Sequence, residues 1–405
     1  MPKRIIILTE LYYPEESGTG YVMAKIAEGL VQNYSVTVLC GYSNSSHRTL
    51  QRPSLENRNG VVVERCAATR LNKDVMLFRM INLFTISASI FLKALRRIDR
   101  GDSILVVTNP PTLPLLALVV TRLKGAKCFL LIHDLYPHVL TATGILSKDN
   151  VISNFLHWLN SMAYQRVDKI VTLGRDMQRL VVPHLQADDH RCVIIRNWAD
   201  LDEVLPLPRE QNNLLKSSLL GQKFVVQYAG NMGRTHGLET LIEAAKLLSP
   251  QKKEIHFLFV GKGAKKSWLV ESVKAEGLTN VTVLSPQPRG QLNDLLNACD
   301  VTIISFIPGM AGISVPSRMY NIMAAGKPII AVADDDSELA MVVREERIGW
   351  VVPPNDPHQI VRVVLEAYTN PNNLLEMGKS ARAAAVAKYS LPRVIDSYRL
   401  LFSNS

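Results

Sequence analysis

Twice along this chain, short apolar segments alternate with segments of helical period, and no other feature limits its fold as strongly. The first series runs Arg4 to Thr9, a helix from about Gly20 to Val31, Ser35 to Cys40, Val61 to Arg65, and a long helix from about Val75 to Arg97. It continues with Ile104 to Thr108, a helix near Leu115 to Leu123, Lys127 to Ile132, a helix near Val151 to Arg166, Lys169 to Leu173 and Val193 to Ile195. Strands apolar throughout are buried on both faces, and intervening helices cover both faces when the strands pair in parallel. A second series follows: Phe224 to Tyr228, His256 to Val260, Val281 to Leu284, Val301 to Ile304, Pro328 to Val332 and Gly349 to Val352.

Between the two series, Leu201 to Gln222 is polar, carries Pro206 and Pro208, and reads as a linker. A chain of 405 residues exceeds one ordinary core. The expected fold is therefore α/β, with two doubly wound, Rossmann-like domains facing a cleft: residues 1–200, a linker at 201–222, and residues 223–380. A last helical segment, 381–405, would cross back to brace the first domain. Paired sheets of this kind bind ligands outside the carboxyl ends of their strands.

The run VVQYAGNMGRTHGLETLIEAA, Val225 to Ala245, joins a strand to an amphipathic helix through glycines. Such a turn gathers free N–H groups and the positive helix end at one point, which suits an anion. Arg234 in that turn adds a forked positive charge, beside Asn231 and Gly233. Farther on, GISVPSRMYNIMAAGKPIIA, Gly312 to Ala331, repeats the loop-to-helix form. In the first half, Gly18 and Gly20 lie where the first strand passes into the first helix, and absent Cβ atoms let a ligand approach the backbone. His133-Asp134 ends the apolar strand CFLLI, so both emerge at the carboxyl edge. Asp134 is placed to orient the imidazole or to accept a proton from an attacking hydroxyl.

Composition narrows the function. Hydrophobic residues make up 47% and charged residues 20%, which leaves no room for long disorder. Of the net charge of +10, residues 1–200 hold +8 (24 Lys+Arg against 16 Asp+Glu), a bias that draws a domain toward an anionic membrane surface. The basic residues are dispersed and not interleaved with aromatics, which argues against nucleic acid. The Val75 to Arg97 helix is apolar over much of its circumference (Met76, Leu77, Met80, Ile81, Phe84, Ile86, Ile90, Phe91, Leu95) and ends in Arg96-Arg97. That pattern suits either an interfacial helix or a core helix. Ser103 to Thr121 is uncharged over 19 residues, but Asn109-Pro110-Pro111 and Pro114 divide it into strand, loop and helix. Five scattered cysteines without CxxC spacing suggest neither disulfides nor zinc. They fit a reducing, cytoplasmic setting, and the four clearly apolar residues before Thr9, Ile5 to Leu8, are too few for a signal-peptide core and read as a first buried strand.

Seven segments together resemble the retaining GT-B glycosyltransferases of glycosyltransferase family 4, especially those of bacterial polysaccharide assembly. They are ELYYPEESGTG, HDLYPHVLTATGIL, IIRNWADLD, YAGNMGRTHGLETLIEAA, FVGKGAKKSWL, PSRMYNIMAAGKPIIA and GWVVPPNDP. The resemblance implies transfer of a sugar from a nucleotide-sugar, UDP- in preference to GDP-, to a lipid-linked or glycan acceptor. Anomeric configuration would be kept, and no metal or other cofactor would be needed. The donor would sit mainly on the second domain and the acceptor on the first, with peripheral attachment to the inner face of the membrane. Arg234 would stabilise the departing diphosphate, His133 would contact sugar or acceptor, and Lys262 is a second phosphate candidate. Gln287 and Pro288 match the place where backbone atoms read the base edge. Ser314, Val315 and Ser317 would offer donors to the distal phosphate and sugar, and Arg318 would pair with phosphate or with a carboxylate of its own domain.

Two departures stand out. The family commonly has two glutamates eight positions apart where this chain has Ile313 and Asn321. Asn321 would still meet the ribose hydroxyls, whereas the Gly312 to Val315 backbone would take over at the sugar end. The family's usual arginine and lysine are replaced by Asn231 and His236, which leaves Arg234 as the principal cation. Two other functions fit the same plan: a nucleotide-sugar 2-epimerase, which needs carboxylates in the cleft, and a catalytically silent nucleotide-sugar-binding scaffold subunit.

Overall fold

The structure, a computed structural model, describes residues 3–15, 18–42, 53–72, 75–147, 150–185, 188–250 and 252–403. The chain forms two compact units: residues 1–138, 147–196 and 392–405, and residues 139–146 and 197–391.

The first unit is built on eight strands: β1 (Arg4–Leu8), β2 (Ser35–Gly41), β3 (Leu55–Arg58), β4 (Val61–Cys66), β5 (Ser103–Val107), β6 (Lys127–Leu131), β7 (Lys169–Thr172) and β8 (Cys192–Ile194). Their order is β3-β4-β2-β1-β5-β6-β7-β8, parallel except at β3–β4. The antiparallel β3, LENR, has no apolar run and alternates half-buried with exposed residues, so hydrophobic pattern does not announce it. Its signal is Asn59-Gly60 between β3 and β4, both at positive φ (49° and 84°), the pair that a tight hairpin turn demands.

The second unit carries β9 (Phe224–Asn231), β10 (Ile255–Lys262), β11 (Val281–Leu284), β12 (Val301–Ser305), β13 (Ile329–Val332) and β14 (Gly349–Val352). All are parallel, in the order β11-β10-β9-β12-β13-β14. Strand order reverses between β1 and β5 in one sheet and between β9 and β12 in the other. At such switch points neighbouring loops turn away from each other and leave a crevice.

The segment 201–222 is not a free linker. Its short helix Asn213–Ser217 is capped by Asn212, and Leu215 and Leu220 join a core cluster with Val225, Leu258, Val260 and Ala298. Arg209 grips both carboxylate oxygens of Asp300 at 2.8 Å. Seven leucines are spread through this stretch without a steady strand or helix period, and Leu215 and Leu220 are buried while Leu205 and Leu219 are exposed, so the packing does not show in sequence. The chain leaves the first unit at Arg196 and returns at Pro392, so only the helix Leu391–Ser403, not all of 381–405, joins the first unit. Phe402 meets Phe129 edge-on at 4.8 Å between centroids, and Gly29 leaves room for Ile395. Phe402→Ala should destabilise the first unit by about 3–5 kcal/mol, read from its urea midpoint.

The Ser103 to Thr121 stretch divides into β5 and the helix Leu113–Lys124. Among the described residues, one helix, Leu77–Arg97, is long and apolar enough to cross a membrane. It buries Ile86, Ile90 and Ala94 on the first unit but leaves Leu77, Met80 and Phe84 open, Phe84 at 70% exposure. The Met76 side chain lies outside the described residues. The Leu113–Lys124 helix packs against both the Met76–Arg97 helix and the helix Val151–Tyr164. It exposes Val119 and Leu123, while Val151–Tyr164 exposes Val151, Ile152, Phe155 and Trp158, the last two stacked at 5.9 Å. The core-helix alternative therefore accounts for one face of Met76–Arg97 only.

Candidate active site

Most of the residues singled out in the second half collect at the carboxyl ends of β9, β10 and β12, beside the switch point. Asn231 and Lys262 are register partners at the last positions of β9 and β10, and both are exposed. Arg234 follows in the turn, exposed and without an ion pair among the described residues. Gly233 does not leave open space. A Cβ there would lie 2.9 Å from Asn231 Nδ2 and 3.2 Å from His236 Nδ1, so the turn closes upon its own side chains. Gly261 and Gly263 likewise admit backbone, since a Cβ on Gly261 would stand 1.9 Å from the Gly230 carbonyl oxygen.

His236 stacks on Phe306 at 5.4 Å, with Nδ1 3.1 Å from Thr235 Oγ1. Burial, then the charge of Arg318, pushes its pKa down to about 3, so it is neutral at pH 7 and supplies no cation in the lysine's place. Gly237 at φ 53° starts the helix Leu238–Leu248 and lies against the backbone after β12. That contact sets the helix N-terminus, with its unpaired N–H groups, beside the switch point.

Arg318 reaches across to this strand end. Its Nη1 donates to the Ala229 carbonyl at 3.0 Å, and its guanidinium lies over the Tyr228 ring at 4.7 Å. Nη2 is buried without a hydrogen-bond partner, and the side chain makes no ion pair among the described residues. Gly230, at φ 148°, makes room for it: a Cβ would lie 2.2 Å from Nη1.

The loop after β12 is braced from below. Asp334 accepts from the N–H groups of Gly309 (3.1 Å) and Ala311 (3.0 Å), and Gly312 adopts φ 74°. Ile313 and Val315 are buried, and the Ile313 N–H donates to the Met310 carbonyl at 3.1 Å. An apolar residue in place of the first glutamate thus anchors the loop, and its N–H is already spent. Ser314 is half-buried. Asn321 departs further from expectation. Its oxygen accepts from the Asp200 N–H at 2.7 Å and its Nδ2 donates to the Asp200 carboxylate at 3.1 Å. Asp200 also binds Trp198 Nε1 and Arg289. The amide is a clasp within this unit rather than an open receptor for ribose. Pairing across 121 positions gives sequence reading no cue.

Gln287 and Pro288 follow β11, two strands from β9 at roughly 5 Å per strand. Gln287 Nε2 donates to the Ser285 carbonyl, and Pro288 is exposed.

In the first unit, Gly18 (φ 60°) begins the helix Gly18–Leu30, and nothing lies within 4 Å of where its Cβ would be. Gly20 is inside that helix, not in a loop, and its missing Cβ is filled by Glu15, 2.6 Å away. Glu16 and Ser17 of the ELYYPEESGTG motif lie outside the described residues. His133 and Asp134 follow β6. The His133 N–H donates to Thr108 Oγ1 at 3.2 Å, tying the loops after β5 and β6 together. Its Nε2 is buried without a hydrogen-bond partner among the described residues, and burial pushes its pKa down to about 4. A neutral imidazole with an unsatisfied ring nitrogen can accept from or donate to a hydroxyl. Asp134 is half-buried, and its charge adds to burial in raising the Tyr136 phenol. Among the described residues, no three of His, Cys, Asp and Glu come together as a metal cluster would require.

Burial also holds His138 and His256 at about 4. A histidine whose folded pKa lies below its unfolded 6.5 takes up its proton more readily once unfolded. The stability these histidines contribute should therefore be fully present near pH 7 and fall as pH drops from about 6.5 to 4, read as a declining urea midpoint.

Residues 17–198 match the family model described as a glycosyl transferase 4-like domain, and residues 210–384 match that of glycosyl transferases group 1. The probable glycosyltransferase WbjE of Pseudomonas aeruginosa is 33% identical over 90% of this chain and 89% of its own. The putative colanic acid biosynthesis glycosyl transferase WcaI of Escherichia coli K12 is 24% identical over 91% and 93%. Among solved structures, HepE of Anabaena in complex with UDP-glucose superposes with a TM-score of 0.75 at 15% identity, over 99% of this chain and 100% of that one.

Proposed function

From the chain's membership of the group 1 glycosyl transferases, to which it belongs by both family models and by its 33% identity to WbjE, we propose a retaining transferase that takes sugar from a UDP-sugar. The acceptor in this reading is a lipid-linked or growing glycan of a bacterial surface polysaccharide. WcaI's description as a colanic acid enzyme and the UDP-glucose held by HepE support it. The observation that carries the donor assignment is Arg234, an exposed guanidinium in the turn after β9, beside the β9/β12 switch point, with no carboxylate partner among the described residues. The diphosphate lies against that turn and the start of the Leu238–Leu248 helix, with Lys262 alongside. The nucleoside extends toward Gln287 and Pro288, and the sugar toward the loop that contains Gly312 and Ser314.

The acceptor hydroxyl attacks from the face the diphosphate leaves, and a leaving phosphate oxygen takes its proton. Neutral His133 hydrogen-bonds the sugar or acceptor, with Asp134 beside it. No metal enters this scheme. Purified protein given labelled UDP- and GDP-sugars with a lipid extract and EDTA should move label from the UDP-sugar into lipid, with the donor's anomeric configuration kept. An altered free sugar would favour epimerisation, and bound but untransferred donor would favour a silent scaffold.

The same protein rests at the inner face of an anionic membrane through its first unit. Phe84, Phe155, Trp158 and Leu123 form the apolar contact, and Arg79, Arg96 and Arg122 stand exposed on the same helices. Flotation with vesicles of phosphatidylglycerol and phosphatidylethanolamine should recover the wild type and lose most of a Phe84→Ser, Trp158→Ser variant. Full flotation of that variant would contradict the membrane assignment.

A further inference from the structure

We infer that Arg318 is a second diphosphate-binding cation, taking over charge that the replaced arginine and lysine positions, Asn231 and His236, no longer supply. This rests on the reading of the second unit as the nucleotide-sugar site. Three observations carry it. The guanidinium stands at the carboxyl end of β9, held by the Ala229 carbonyl at 3.0 Å and the Tyr228 ring at 4.7 Å. It makes no ion pair among the described residues, and Nη2 is buried without a hydrogen-bond partner. A half-buried cation with an unmade donor bond is costly unless an anion completes it. Third, the guanidinium lies in the space beside Gly230, where a Cβ would stand 2.2 Å from Nη1 and would push the arginine out of this position.

The neighbouring groups fit an anion. His236 is neutral there and does not compete for phosphate. The Asp334 carboxylate, which braces the loop after β12, is occupied by the Gly309 and Ala311 N–H groups. Nη2 is enclosed, so a phosphate oxygen meets the guanidinium after a side-chain rotation. The Nη1 bond to Ala229 is the contact exchanged. Backbone and ring thus hold Arg318 only in part, and the ligand completes its hydrogen bonding. The two cations divide the work, with Arg234 approaching from solvent and Arg318 from the strand side.

The test is calorimetric titration of the full chain with UDP, UMP and uridine. Arg318→Ala should weaken UDP by about tenfold to a hundredfold and leave uridine within about twofold, because only phosphate contacts are lost. Arg318→Lys, which keeps the charge and the fold near β9 but not the planar fork, should recover part of the loss. A role confined to packing would shift UDP and uridine together, and that result would overturn the inference, as would unchanged UDP affinity in a folded Arg318→Ala protein. If Arg318→Ala does not fold, the UDP-to-uridine affinity ratio of Arg318→Lys decides: a ratio equal to wild type contradicts the inference. If the wild type binds none of UDP, GDP, CDP and ADP, the underlying donor-site reading fails instead.

Discussion

Arg234→Ala is expected to lower the rate of sugar transfer by about 10²–10³-fold, the loss typical of removing one preorganised group that faces developing charge. As the glycosidic bond to the nucleotide breaks, negative charge accumulates on the departing diphosphate, and the guanidinium gains more from that state than from the bound donor. The fall should therefore appear in kcat more than in KM. Because Arg234 is exposed and holds no partner ion within the described residues, its removal leaves no orphaned carboxylate behind. Folding should be unaffected, and a thermal melt within about a degree of wild type would confirm that the loss is chemical. Unchanged kcat in that variant would remove the residue from the mechanism.

The second large effect is structural. Gly261→Ala would place a Cβ 1.9 Å from the Gly230 carbonyl oxygen, a backbone atom that moves only if β9 moves with it. Overpacking and the unfavourable φ of 159° together should cost about 3–5 kcal/mol. Displacement of β9 also shifts Ala229 and Gly230, on which Arg318 rests, so nucleotide affinity should fall along with the unfolding midpoint of the second unit. A melt unchanged from wild type would show that the two strand ends are not as closely joined as the structure places them.

Much of this was legible in the chain. Apolar strands at regular spacing announced two doubly wound sheets, and the glycine-marked turn after Tyr228 announced the strand end where the cations gather. Three things were hidden for distinct physical reasons. The edge strand β3 is polar because one side of it faces solvent, so only its Asn-Gly turn betrays it. Gly20 and Gly233 look like openings for a ligand, but the space a missing Cβ leaves is taken by Glu15 in one case and by Asn231 and His236 in the other. Asn321 looks like a weakened ribose ligand, but its amide is committed to Asp200, a partner that only the fold brings near. The same blindness to long-range pairing hides the bond from Arg318 to the Ala229 carbonyl, which holds the guanidinium at the end of β9.

Crystals of the protein soaked with UDP would test the donor site most directly. The account predicts diphosphate density within hydrogen-bond distance of Arg234, at the turn between β9 and the Leu238–Leu248 helix. Density for the diphosphate anywhere else, with that turn left bare, would contradict it.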